Sequence, residues 1–224
     1  MQAPSEIVLS EEEIRTKHAE VFQGLEEPRE PLHLEVDKSI EPVQIPPRKI
    51  PEALRKPLKE HLTELEQQGV IEKVVEATDW VSAIVVNKKS NRKIRLCLDP
   101  RPLNKALKRC HYSVPRIEDV LPDLAKAKVF TKLGCNYGYW QVKLDKDSSV
   151  TTINTPFGRY KWITMPFGIS PAGEIFQQRL DQAIEGLAGV KTVADDQFGS
   201  ILLCSTYEQR RQLPQVSSIR NQGH

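Results

Sequence analysis

Long apolar runs are missing from this sequence. No stretch approaches the roughly 18 apolar residues that a membrane-spanning helix needs, although 39% of the 224 residues are hydrophobic. Cysteine is sparse and scattered: Cys97, Cys110, Cys135 and Cys204 form no Cys-x-x-Cys pair. That spacing argues against a zinc site or a disulfide framework and for reduced thiols. The N-terminus, MQAPSEIVLSEEE, lacks the basic and then apolar pattern of a secretory leader. Internal repeats are absent too. These absences predict an intracellular protein, cytoplasmic or nuclear, that does not engage a membrane.

Charge of both signs is plentiful, and it is segregated. The formal net charge is only +2, yet residues 1–45 hold eleven Asp/Glu against four Lys/Arg. Residues 86–112 hold nine Lys/Arg against Asp99 alone. A basic segment of that density suits phosphate, although many such runs are only solvated faces. The acidic first 45 residues lead into PVQIPPRKIP, whose four prolines favour an extended arm. This arm is expected to lie along a surface or to stay mobile.

Beyond it the patterning alternates between helix and strand without a regular βαβ rhythm, which predicts an α+β fold. Leu58, Leu62 and Leu65 recur at helical spacing, with the helix expected to start near Pro57 and to stop at Gly69. WVSAIVVNK and KIRLCLD read as a hairpin with a basic tip. PRIEDVLPDLAKAK is helical but interrupted by Pro122, KVFTKL is a short strand, and YWQVKLD returns extended. TTINTPFGRYKWIT is a second hairpin turning at Pro156–Arg159. Ser170 is placed to cap a helix from Pro171, with Phe176, Leu180, Ile184 and Leu187 on one face and Gly186 or Gly189 at its end. VKTVA and GSILL form a last hairpin around Asp195 and Asp196.

Two carboxylates at one tight point have two readings. Asp is a common turn residue, so the plain one is a solvated turn. The chemical one is a Mg²⁺ site, because hard cations take carboxylate oxygens and complete their shell with substrate phosphates. The surrounding blocks bear on the choice. PPRKIPEALRKPLKEHLTELEQQGVIEKV, TDWVSAIVV, KIRLCLDPRPLNKALKR, VFTKL, GYWQVKLD, NTPFGRY, MPFGISPAGEIFQ and VADD follow one another in the chain. In that order and spacing the sequence, from about Leu32 to Asp196, resembles the reverse transcriptase of gypsy-like LTR retrotransposons. That family is an RNA-directed DNA polymerase, a nucleotidyltransferase module of a Pol polyprotein.

The resemblance implies a right-hand polymerase with fingers, a partial palm and no thumb. Its division of the chain would be an acidic linker arm at 1–45, fingers at 46–128, partial palm at 129–203 and an unrelated or frameshifted tail at 204–224. Asp195 and Asp196 would be catalytic carboxylates and metal ligands, for two Mg²⁺ ions in the family. Arg95 would hold triphosphate oxygens in the bidentate manner of guanidinium, with Lys88 or Lys89 as point charges. Its plain alternative is a surface strand arginine. Tyr139 would stack on the sugar and exclude a 2′-hydroxyl, or else be a core aromatic. Phe167 and Gly168 would border the nucleotide pocket. The implied partners are an RNA or DNA primer–template and deoxynucleoside triphosphates.

The sequence departs from the family in two places. Where the family carries its third metal-binding aspartate, directly after the VFxKL strand, this chain has Gly134. Asn136, two residues on, offers only a neutral amide oxygen. After Asp196 the chain runs QFGSILLCSTYEQRRQLPQVSSIRNQGH, a mostly polar tail unlike the family's continuation. The expectation is therefore a reverse transcriptase fragment with impaired catalysis. The alternatives are a non-catalytic nucleic-acid-binding remnant and a decayed fragment with no selected role.

Overall fold

The structure is a computed structural model that describes residues 16, 19, 30–88, 94–120, 122, 131–135, 137–146, 148–187, 190–195, 199–204 and 219–221. The chain divides into two compact units, one of residues 27–111 and 139–175, the other of residues 1–26, 112–138 and 176–224. Helices and strands mix in both, giving the expected α+β class.

The first unit is built on a five-stranded sheet of β1 (Ile71–Val74), β2 (Ser82–Lys88), β3 (Ile94–Leu98), β5 (Ile153–Thr155) and β6 (Gly158–Trp162). Its order is β1-β6-β5-β2-β3. Two hairpins supply most of it, β2 with β3 and β5 with β6, joined by a parallel pairing of Ser82 with Ile153. In β3 the exposure alternates, so Ile94, Leu96 and Leu98 face the core while Arg95 faces out. Trp162, with no exposed surface, anchors the interior, and its backbone carbonyl accepts from Thr151 Oγ1 at 3.1 Å.

Helix α1 (Glu52–Gln67) buries Leu58, Leu62 and Leu65 as the spacing predicts. It starts earlier than expected, directly after Pro51, and carries Pro57 inside it. An interior proline forfeits one helical hydrogen bond. Burial of the leucine stripe outweighs that local cost, because tertiary packing rather than propensity supplies most helical stability. Gly69, at φ +67°, ends the helix: its N–H donates to the Glu66 carbonyl and that of Val70 to the Leu65 carbonyl.

The second half of the acidic arm is tied down. Leu34 is buried, and residues 32, 36 and 44 form isolated bridges with Leu144, Leu107 and Val81. Glu35 pairs with Lys108 at 3.2 Å, and His33 Nδ1 lies 2.6 Å from Asp145 Oδ2. From about residue 32 the arm is therefore held against the rest of the first unit.

YWQVKLD differs from its expected extended form. Gly138–Gln141 is a 3₁₀ turn, after which Lys143 and Leu144 make only isolated bridges. Tyr139 and Trp140 are adjacent and both buried. A strand points neighbouring side chains to opposite faces, so burying both requires a turn.

Two short helices, α2 (Arg101–Ala106) and α3 (Ile117–Val120), precede strand β4 (Thr131–Cys135). Helix α4 (Ala172–Ala183) follows the MPFG loop and buries Ile175, Phe176 and Leu180, with Ile184 just past its end. Gly186 at φ +83° lies beyond it. Ser170 does not cap α4: its hydroxyl is buried with no hydrogen-bond partner among the described residues.

The second unit holds β4, β7 (Val190–Asp195), β8 (Gly199–Cys204) and β9 (Ile219–Asn221), in the order β7-β8-β4-β9 with every pairing antiparallel. The last strand of this sheet lies beside the first.

Candidate active site

Four of the residues singled out in the sequence meet within the first unit. Phe167, half-buried, is the hub: the Tyr139 ring lies 5.0 Å away, tilted, and Trp140 meets it edge-on at 6.2 Å. The Arg95 guanidinium sits 5.9 Å above the Phe167 ring. Such a cation–π contact is worth about 0.5–1 kcal/mol at an exposed site, and it leaves the guanidinium N–H groups open to an anion. Gly168 follows at φ +95°, a conformation that a side chain resists. A Cβ there would also stand 3.4 Å from Pro100 Cγ. Lys88 closes β2 opposite Ile94; Lys89 lies outside the described residues.

Sequence reasoning missed several polar ties in this unit. Asp99 has 6% of its side chain exposed and takes two arginines, Arg48 Nη2 at 2.5 Å and Arg101 through Nε at 2.9 Å and Nη2 at 2.7 Å. The hydrogen bond from Arg101 is the main reason its carboxyl is held well below the usual carboxylate range; burial opposes, and Arg48 assists. The signal was present in the composition, since Asp99 is the lone acid among nine cations in residues 86–112. Asn104, on α2, was missed entirely. Its Nδ2 donates to the Gly168 carbonyl at 3.0 Å, and its Oδ1 accepts from the Ser170 N–H at 2.8 Å. Glu174, in the first turn of α4, takes Arg109 and the His111 N–H. Burial raises its pKa, but these donors outweigh burial and hold it below its ordinary value.

In the second unit the register aligns the carboxylate strand with position 134. Ile201 of β8 faces Val193 on one side and Gly134 on the other, and Gly134 in turn faces Arg220 of β9. Directly paired residues of antiparallel strands share a face, and alternate residues of one strand do too. Positions 134, 193 and 195 therefore fall on one face of the sheet. Asp195 ends β7 opposite Gly199; Asp196 and Asn136 lie outside the described residues.

Thr192, on the other face, is locked to α4. Its hydroxyl donates to Asp181 Oδ1 at 2.5 Å, and Gln177 Nε2 donates to both Asp181 at 2.8 Å and the Thr192 hydroxyl at 2.8 Å. Tyr112 completes the set through Asp181 Oδ2 at 2.8 Å. Val193 packs with Val120 of α3.

Gly134 is buried and offers a metal ion no side-chain donor, and no group of three His, Cys, Asp or Glu gathers among the described residues, which do not include Asp196. Burial pushes the neighbouring Cys135 thiol up to about 12. No helix among the described residues is long and apolar enough to cross a membrane.

Comparison with known proteins agrees with this arrangement. Residues 86–212 match the family model described as reverse transcriptase (RNA-dependent DNA polymerase). An uncharacterised protein of Caenorhabditis elegans is 30% identical over 188 residues, covering 83% of this chain and 14% of that protein. The enzymatic polyprotein of cauliflower mosaic virus (strain Strasbourg) is 30% identical over 145 residues, 63% of this chain and 21% of the polyprotein. An RNA-directed DNA polymerase homolog of Oenothera berteroana is 41% identical over 80 residues, 35% of this chain and 56% of the homolog. The chain thus spans only part of each relative. Among solved structures, prototype foamy virus protease–reverse transcriptase superposes with a TM-score of 0.79 at 15% identity, covering 93% of this chain and 29% of that one. The foamy viral enzyme in complex with an RNA/DNA hybrid gives 0.76 at 17% identity, over 91% and 28%.

Proposed function

The chain belongs to the reverse transcriptase (RNA-dependent DNA polymerase) family, and on that premise we propose that it is a gypsy-like retrotransposon polymerase segment disabled at residue 134. The observation that carries this reading is the register of β4. Position 134 shares a sheet face with Asp195, and there the chain offers a glycine. Reverse transcriptases generally use Mg²⁺, and a two-metal displacement needs carboxylates that clamp both ions. Asp195 and Asp196 would supply two carboxylates; position 134 supplies none.

The nucleotide side of the reading is supported by the cluster around Phe167. Arg95 would hold triphosphate oxygens, with Lys88 and Lys89 adding charge. Tyr139 would meet the sugar, with Phe167 and Gly168 as the pocket wall. The division into fingers at 46–128 and partial palm at 129–203 follows from the same reading. The foamy viral relatives were solved with an RNA/DNA hybrid and with double-stranded DNA. A primer–template is the corresponding partner here, held by the basic segment of residues 86–112. Such binding weakens steeply with salt as phosphate contacts release counterions.

Primer extension on poly(rA)/oligo(dT), with Mg²⁺ or Mn²⁺, tests the reading. The unmodified chain is expected to incorporate nothing above background. The Gly134→Asp variant is expected to gain about 10³-fold or more, the usual scale for one member of a catalytic unit. Incorporation by the unmodified chain sinks the claim. Salt-independent or absent primer–template binding sinks the partner assignment.

A further inference from the structure

The backbone N–H of Asn104 is already used inside its own turn, donating to the Pro100 carbonyl at 2.7 Å. Its side-chain amide does something else. Donating to the Gly168 carbonyl at 3.0 Å and accepting from the Ser170 N–H at 2.8 Å, it behaves like a peptide group paired across a ladder. The two bonds bracket Ile169 and reach over a sequence separation of 64 and 66 residues.

The loop it grips has little freedom of its own choosing. Gly168 is at φ +95°, a conformation that a side chain resists. The Ser170 hydroxyl makes no hydrogen bond among the described residues, so the backbone N–H is Ser170's tie to α2. Immediately before Gly168 stands Phe167, the ring that meets Tyr139, Trp140 and Arg95. Fixing the carbonyl of 168 and the N–H of 170 fixes the direction in which the chain presents residue 167.

We propose that Asn104 is a positioning residue for the nucleotide pocket, setting the discrimination between deoxyribo- and ribonucleotides by holding the Phe167–Ser170 loop, and with it Phe167 against Tyr139. This rests on the reading of Tyr139 and Phe167 as pocket residues. Asn104 itself touches no substrate; it acts through the loop.

Two measurements on the full chain test it. The first is amide hydrogen exchange at Ser170. Asn104→Ala removes the acceptor and is expected to speed exchange about fivefold or more, the scale of one lost hydrogen bond. Asn104→Asp keeps the acceptor but sets a carboxylate oxygen against the Gly168 carbonyl, and is expected to leave Ser170 protected. The second is equilibrium titration of the poly(rA)/oligo(dT) complex with dTTP and with ribothymidine triphosphate, in Mg²⁺. The unmodified chain is expected to prefer dTTP. The preference should fall about fivefold or more in Asn104→Ala, and by less in Asn104→Asp. A merely structural role would weaken both nucleotides alike and leave their ratio unchanged.

Unchanged Ser170 exchange in Asn104→Ala, or an unchanged ratio, overturns the proposal. Should the unmodified chain bind neither nucleotide, the pocket reading fails and the specificity claim goes with it. The exchange result then still decides whether Asn104 holds the loop.

Discussion

The two units treat their candidate site residues differently. In the first, the residues that would bind a nucleotide also build the fold. Tyr139 is buried, Phe167 joins three other side chains, and the loop carrying it hangs from Asn104 and rests on Pro100. In the second, position 134 carries no structural load that a carboxylate would be needed for. Glycine there keeps its pairings with Ile201 and Arg220, and the strand register survives. Position 134 can thus do without a carboxylate and keep its strand pairings, whereas the Phe167 cluster cannot be cut back without losing packing.

Three substitutions put that contrast at risk. Tyr139→Ala should have the largest effect on stability, about 3 kcal/mol, because truncating a buried aromatic removes both its transfer free energy and its packing. Chemical denaturation measures it; a loss under 1 kcal/mol would dissolve the contrast. Asp99→Asn comes next, at about 1–2 kcal/mol near neutral pH, discounted because Arg48 and Arg101 are solvated when freed. Its pH dependence is more telling. Folding holds the Asp99 carboxyl below its ordinary value, so its contribution is complete above about pH 4, the unfolded carboxylate range. It drains away as the pH falls below that. An acid titration of stability should lose this component in Asp99→Asn. Gly134→Ala should be smallest, a change within about 1 kcal/mol and in the stabilising direction expected for replacing a strand glycine. A collapse of the fold would mean that glycine is required at 134 after all.

Much of this architecture was legible because it is local. The β2–β3 and β5–β6 hairpins, the leucine stripe of α1 and the apolar face of α4 each show in a short window. So did the cluster at Phe167, though only through resemblance. What escaped notice depends on distant partners. Asn104 matters because of a loop 64 residues on, and Arg48 because of Asp99, 51 residues on. Residues 32–48 read as a proline-rich acidic arm, and nothing in their own pattern announces the bridges to Leu144, Leu107 and Val81. The start of α1 and the turn at Gly138–Gln141 were misplaced because burial overruled local preference.

The position of β9 bears on how the chain is made. As the protein is synthesised, β4 emerges with both edges unpaired. Leu133 finds Leu202 of β8 only much later, and Asn221 of β9 later still. At about 5–20 residues per second, β4 spends seconds as an open strand that any neighbouring nascent chain can pair with. Contacts of such long sequence separation also fold slowly. Yield in the cell should therefore depend on how quickly residues 199–221 follow β4 out of the ribosome, and a pause in that interval should show as aggregate.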